Sequence, residues 1–256
     1  KNAPHPMPFA GKSEGILALG NMLYLWRDGE GGSLGYFKSI ALWRSADRGA
    51  TWRETGVRFS KADGDFVGKD EGIFAPAFCQ FGQDYAGARD PYLYIYSPDS
   101  IDSTHWHIRL PGRINLLRVP REKIESKAAY EFFAGGSGTS SWTKNPAQRK
   151  SVWADAAQGT HRMAVSYNPV LKRYLLTTIT HNRDGWMSIY DAPEPWGPWT
   201  HVHTEFEPAR WGTYTIIFTF VNKWLSPDGC DFVIVHTKDD RWATIEGRFK
   251  LAGDKP

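Results

Sequence analysis

Long apolar runs are missing from this 256-residue chain. No stretch approaches the roughly 18 residues that a membrane-spanning helix requires, and no short N-terminal apolar segment resembles a secretory signal. The expectation is a chain without a membrane partner, working in a secreted or periplasmic setting after any leader has gone. Cysteine is scarce. Cys79 lies in an apolar, strand-like run and Cys230 follows a Pro-Asp-Gly turn; two residues so far apart can pair or stay free. Clustered charge is lacking too. The net charge is +3 with Lys and Arg interspersed among acids, whereas a nucleic-acid footprint gathers its cations on one surface, so no nucleic-acid partner is expected. No glycine-rich loop follows a strand and opens a helix, which removes support for nucleotide binding, and Ser166 lacks the flanking glycines of a nucleophile elbow. No pair of histidines has the i, i+4 helical spacing or the Cys partners of a zinc site, so no transition metal and no cofactor are expected. A structural calcium would leave no mark in the sequence.

Aromatic residues and strand signals are what the chain has in abundance. The 12 Trp and 11 Tyr exceed what a core alone needs, and flat rings are the stacking platforms of sugar-binding surfaces, which favours a polysaccharide or oligosaccharide ligand. Strand signals come in groups, with little helical periodicity. The first group holds 15–19, 22–26, 39–43 and 51–55; the second 74–81, 92–96, 114–119 and 130–133; the third 163–167, 173–179, 187–190 and 199–204; the fourth 214–221, 232–236 and 242–249. Sequential groups of this size match radial sheet repetition better than a sandwich. The predicted fold is a single all-β domain over residues 1–256, a β-propeller of four-stranded antiparallel blades. At the centre of the first group, Ser45-Ala46-Asp47-Arg48-Gly49-Ala50-Thr51-Trp52 reads as a tight turn. Ser and Asp can fold back onto backbone N–H groups, Gly49 supplies a positive φ, and Thr51-Trp52 restart the strand.

The spacing S-x-D-x-G-x-T-W resembles the Asp-box of sialidases and related propellers, where it is a structural hairpin on the outer part of a blade. Two further segments resemble the five-bladed furanosidase-like propellers, the superfamily of arabinanases and glycoside hydrolase family 43. They are Ser166-Tyr167-Asn168-Pro169 with Lys172-Arg173-Tyr174, and Pro193-Glu194-Pro195-Trp196-Gly197-Pro198-Trp199. Leu117-Arg118-Val119-Pro120 followed by Tyr130-Glu131-Phe132-Phe133-Ala134-Gly135 resembles an uncharacterised bacterial propeller family, some members of which are linked to arabinan hydrolysis. The resemblance implies five blades, of which four are visible as strand groups; the fifth is expected either from the terminal segments or not within these 256 residues. These motifs are turns and blade packing, and they carry fold rather than chemistry.

Such a topology implies a ligand face formed by the loops entering each inner strand and those joining second to third strands. That rule places the Asp-box turn on the opposite face, and with it Asp84, Tyr85, Arg89 and Asp90. Glycosidic hydrolysis needs two carboxyl groups about 5–5.5 Å apart for retention or about 6.5–9.5 Å for inversion. Glu14, Glu71 and Asp155 each lie ahead of an inner strand and are the candidate acid, base and tuning carboxylate; the alternative for each is a solvated loop acid. His161, Arg162 and Trp211 are candidates for holding sugar. A second chemistry, lyase cleavage of a uronate glycan, would draw on His107, His161, His181 and Arg162 with Tyr167 or Tyr214 nearby, because it needs a cation at the carboxylate and a base for the α-proton. The third reading is a non-catalytic sugar-binding propeller. The expected order is hydrolase, lyase, binding module, acting as a monomer.

Overall fold

The computed structural model describes residues 13–28, 39–60, 62–65, 73, 75–99, 112–136, 141–156, 159–181, 186–205, 217–238 and 241–252; the side chains of Asp28, His161, Thr180, His181 and Lys238 fall outside that set. Four antiparallel sheets follow one another along the chain. Blade 1 is β1 (Ser13–Leu19), β2 (Met22–Asp28), β3 (Ser39–Ser45) and β4 (Arg53–Ser60), paired in that order. Blade 2 contains β5 (Ala77–Phe78), β6 (Tyr92–Pro98), β7 (Gly112–Pro120), β8 (Glu131–Phe133), β9 (Trp142–Thr143) and β10 (Ser151–Asp155). Blade 3 is β11 (Gly159–Asn168), β12 (Arg173–His181), β13 (Trp186–Ala192) and β14 (Thr200–Glu205); blade 4 is β15 (Phe218–Phe220), β16 (Asp231–Lys238) and β17 (Arg241–Arg248).

Two expectations are corrected here. The described residues form four blades rather than five, and residues 1–12 and 253–256, the expected source of a fifth, lie outside them. Nor are all blades four-stranded among the described residues: there blade 4 has three strands, and blade 2 has six because its outer layer is split. β8 pairs with the lower part of β7 at Leu117 and Arg118, while β10 pairs with its upper part from Gly112 to Asn115. The inner strand of blade 2 shrinks to two residues for a local reason. Ala75 is held at φ 40° and Pro76 has no N–H to give to a ladder.

Neighbouring blades are stitched along their inner strands. Gly15 N–H donates to Pro76 O at 2.9 Å, Gln80 N–H to Val165 O at 2.8 Å, and Tyr167 N–H to Gln80 O at 2.8 Å. Ser166 Oγ donates to Phe220 O at 3.1 Å, joining blade 3 to blade 4. The core fills the seams between sheets. Trp26, 1% exposed, stacks on Phe78 of the next blade at 5.9 Å and meets Tyr130 edge-on at 6.2 Å. A smaller cluster of Leu175, Ile179, Ile189, Phe218, Phe220 and Ile234 fills the seam between blades 3 and 4. Burying each of these large side chains stabilises the fold by about 1.5–3 kcal/mol, so the seams lock the inner strands at fixed heights around the axis.

The turn between β3 and β4 has the geometry its residues suggest. Asp47 Oδ1 accepts from Thr51 N–H at 2.9 Å, Ser45 Oγ accepts from Gly49 N–H at 2.8 Å, and Trp52 Nε1 donates to Gly49 O at 3.0 Å. Trp43 and Trp52 sit half-buried on the two outer strands' side of blade 1. The Pro-Trp-Gly-Pro-Trp segment is packing material as well: Trp196 stacks on Phe133 at 6.4 Å and Tyr96 Oη donates to Pro195 O at 2.8 Å, closing the seam between blades 2 and 3.

Candidate functional site

The entrances to β1 and β11 carry the same irregularity. In β1, Ser13 faces Arg27 and Ile16 faces Leu25, so Glu14 and Gly15 together oppose one residue of β2. In β11, Thr160 faces Thr180 and Met163 faces Thr178, so His161 and Arg162 oppose one residue of β12. Each is a β-bulge, which bends the strand and re-aims the side chains it carries. Gly15 is required where it stands: a Cβ there would lie 2.7 Å from Pro76 O and 2.8 Å from Ala77 Cα, inside the neighbouring blade's backbone.

The two bulges aim at each other. Arg162 Nη2 donates to Glu14 Oε1 at 3.2 Å, with the Arg side chain 17% and the Glu side chain 4% exposed. The first and third inner strands are thus bridged by an ion pair at the end of the channel where those strands begin. This is a charge-assisted contact in a place with little water. Residues 148 positions apart meet because blade 2 presents only a short inner strand between them.

The remaining candidates divide. Asp155 ends β10, which pairs with the third strand of blade 2, and its charge, after burial itself, raises the phenol of Tyr190 on the third strand of blade 3. It therefore stands three strands out from the inner layer, the layer that holds Glu14 in blade 1, and the structure does not bring the two together. Glu71, His107, Trp211 and Tyr214 lie outside the described residues, as do the side chains of His161 and His181, whose backbones occupy β11 and the end of β12. Ile73, two positions after Glu71, bridges to Asp99. Asp99 is a buried carboxylate at the same face; it accepts from Asn115 Nδ2 at 2.6 Å and from Arg149 Nη2 at 3.3 Å. Asp99 falls between the second and third expected strands of its group, 92–96 and 114–119, and nothing local in the sequence marks it or Arg149, 50 positions away, as partners.

The opposite face holds structural chemistry. Asp84 Oδ1 accepts from Gly20 N–H in the β1–β2 turn. Asp90 accepts from Tyr94 Oη at 2.7 Å, and burial with that bond pushes the Tyr94 phenol up. Arg89 pairs with Glu194 at 3.3 Å and lies over the rings of Tyr167 and Tyr174. Tyr167 thereby leaves the lyase reading: it faces Tyr174 at the far end of β11, five residues or about 17 Å of strand from Arg162. Two concave surfaces among the described residues also lie away from the Glu14–Arg162 pair. One, of about 410 Å³, is lined by Gly20, Asn21, Leu23 and Arg48 by the outer turns; the other, of about 510 Å³, lies between Phe59, Lys127, Tyr130 and Lys144 at the rim of blades 1 and 2. Among the described residues no group of three metal-ligating side chains converges, and no helix is long and apolar enough to cross a membrane.

With the architecture in view, a family profile, "Domain of unknown function (DUF4185)", matches residues 26–225. The chain belongs to the DUF4185 family. No curated protein matches this DUF4185 chain by sequence. Solved structures do match by shape. An exo-β-1,3-galactanase from Phanerochaete chrysosporium is 10% identical with a TM-score of 0.57, over 92% of this chain and 46% of that one. A family 117 glycoside hydrolase from Zobellia galactanivorans is 13% identical with a TM-score of 0.51, over 92% of this chain and 65% of that one. A GH43 β-1,3-galactosidase is 11% identical with a TM-score of 0.55, over 92% and 75%. This DUF4185 chain spans about half to three quarters of the length of these structures, and the likeness at such identities shows the propeller fold.

Proposed function

We propose that this DUF4185 chain is a carbohydrate-active propeller that hydrolyses a glycosidic bond at the channel mouth. The observation that carries the reading is the buried Glu14 carboxylate, held by Arg162 on paired bulges of two inner strands. A carboxylate against a guanidinium is stabilised as the anion, the form that a base or nucleophile requires. In this reading Glu14 takes that role, Arg162 holds its carboxylate and a sugar hydroxyl, and Glu71, which precedes the inner strand of blade 2 in the sequence, supplies the acid. Asp155 acts at longer range as the third carboxylate, and His161 and Trp211 position sugar. Support for the sugar comes from the fold, since proteins of this shape include the galactanase, the galactosidase and the family 117 enzyme. The finer features belong to the same proposal: a furanosidase-like single domain with an Asp-box hairpin at 45–52, secreted or periplasmic, acting as a monomer.

The test is a screen of the purified chain on arabinan, β-1,3-galactan, inulin and polygalacturonate. Hydrolysis predicts new reducing ends without the ultraviolet absorbance of an unsaturated uronate, and loss of about 10²–10⁴-fold in rate for Glu14→Gln. Reducing ends with that absorbance mean a lyase. Binding with neither signal means a sugar-binding module.

A further inference from the structure

The Glu14–Arg162 contact also bears on which sugars the mouth admits. The carboxylate is the deeper member, 4% exposed against 17% for the guanidinium, and it accepts from Nη2 at 3.2 Å. The guanidinium is therefore the member that reaches water, with a fixed negative charge directly beside it. Two ligand chemistries respond differently to such a pair. A sugar hydroxyl both donates and accepts, so it can take an N–H from the guanidinium and give its own proton to the carboxylate without adding a charge. A ligand carboxylate only accepts. Bound to Arg162 it stands about 7 Å from Glu14, and the repulsion between the two like charges cancels about half of the guanidinium's attraction. What is left does not offset the cost of taking a second carboxylate out of water.

The neighbouring charges do not change that balance. Arg149, with its side chain 7% exposed, donates to Asp99 Oδ1 at 3.3 Å and to Pro146 O at 3.1 Å, so a second buried guanidinium at this end is likewise matched inside the protein. Arg27 on β2 lies 4.9 Å over the Trp43 ring, and Arg113 stands on β7, the third strand of blade 2; neither belongs to the inner layer. Asp155, whose charge adds to burial in raising the Tyr190 phenol, brings further negative charge to the same end.

We propose that Glu14 determines specificity: by neutralising Arg162 it makes the mouth select neutral sugars and reject uronates and other glycan carboxylates. The inference rests on the carbohydrate reading above and sets the substrate class of that site. Its sign runs against the chain as a whole, whose net charge of +3 on its own favours an anionic polymer. A uronate lyase needs the guanidinium for its substrate's carboxylate, and Glu14 already holds it.

The test is equilibrium binding to immobilised arabinan, β-1,3-galactan and inulin, each beside its own lightly carboxymethylated form, and to polygalacturonate, at about 0.15 M salt so that the overall charge is screened. Wild type binds at least one neutral polymer about tenfold more tightly than its carboxymethylated form. Glu14→Asp, which keeps the charge, keeps that order. Glu14→Gln lowers the ratio by about tenfold, chiefly by gaining affinity for the carboxylated polymer, because one like charge has gone from about 7 Å away. A preference that came from the bulk of the added groups would persist in Glu14→Gln. Wild type that binds a carboxymethylated polymer or polygalacturonate as tightly as the neutral ones overturns the filter whatever the variants do, and so does an unchanged ratio in a Glu14→Gln protein that melts close to wild type. Selective binding of a neutral polymer without new reducing ends sinks the hydrolase and leaves the filter. Cleavage of neutral and carboxymethylated polymer at equal rates sinks the filter and leaves the hydrolase.

Discussion

Replacing Arg162 by alanine leaves the Glu14 carboxylate, 4% exposed, with its guanidinium partner removed. Breaking a buried ion pair from one side typically costs about 3–5 kcal/mol because the survivor stays desolvated. With the Arg side chain 17% exposed, water reaches part of the gap, and we expect about 2–4 kcal/mol. For a chain of this size that is a fall of roughly 5–15 °C in melting temperature. Glu14→Gln should cost less, about 1–2 kcal/mol, since the amide still offers an acceptor and the Arg is the better solvated partner. The double variant Glu14→Gln/Arg162→Ala removes both charges at once and should fall short of the sum of the singles by about 0.5–3 kcal/mol. Urea or thermal unfolding of wild type and the three variants measures that coupling. Additivity within about 0.5 kcal/mol, or a Glu14→Gln variant less stable than Arg162→Ala, refutes the claim that the two side chains meet in a buried pair. Such a buried pair also means that stability and turnover fall together in Arg162→Ala, so activity must be compared per folded molecule.

Gly15→Ala drives a Cβ against backbone atoms of Pro76 and Ala77; about 1–3 kcal/mol of overpacking strain and a shifted Glu14 are expected, and an unchanged melting temperature would show that the inner strands are not so close. Hydrogen bonds from Thr51 and then Ser45 hold the Asp47 carboxyl down at about 2. A depressed acid contributes stability above its unfolded value near 4 and loses it as pH falls toward 2, so Asp47→Ala should melt below wild type at neutral pH and match it at pH 2. A gap between the two that does not change with pH contradicts the turn geometry. The Tyr24 phenol is pushed up to about 12 by burial and by its hydrogen bond to Glu125. That stability is complete below pH 10 and is lost as pH rises through 12, so Tyr24→Phe should lessen the alkaline fall in melting temperature; identical alkaline profiles would rule the bond out.

The strand groups were legible because apolar runs separated by turn residues write a period of two into the chain. Blade 1 shows it best: the expected strands differ from β1 to β4 only at their ends. Legibility failed where the pattern is short or polar. β9 and β10, at Trp142–Thr143 and Ser151–Asp155, have too few alternations to register, and without β10 in view Asp155 looked like part of the approach to an inner strand. β5 was expected over 74–81, but a positive φ at Ala75 and a proline at 76 are conformational facts that an apolar run conceals. Glu14 and Arg162 were found as residues ahead of inner strands. Their meeting was not, because it depends on two bulges and on the height at which Gly15 locks onto Pro76, which only the packed seams fix.

A crystal structure of the Glu14→Gln variant soaked with an oligosaccharide of whichever polymer the screen selects is the most direct test of the central claim. The account predicts a sugar ring at the mouth, with a hydroxyl or ring oxygen in hydrogen-bond reach of residue 14 and of Arg162. A sugar seated instead on the opposite face, by the turn at 45–52 or beside Arg89, with the Glu14–Arg162 mouth empty, would contradict it.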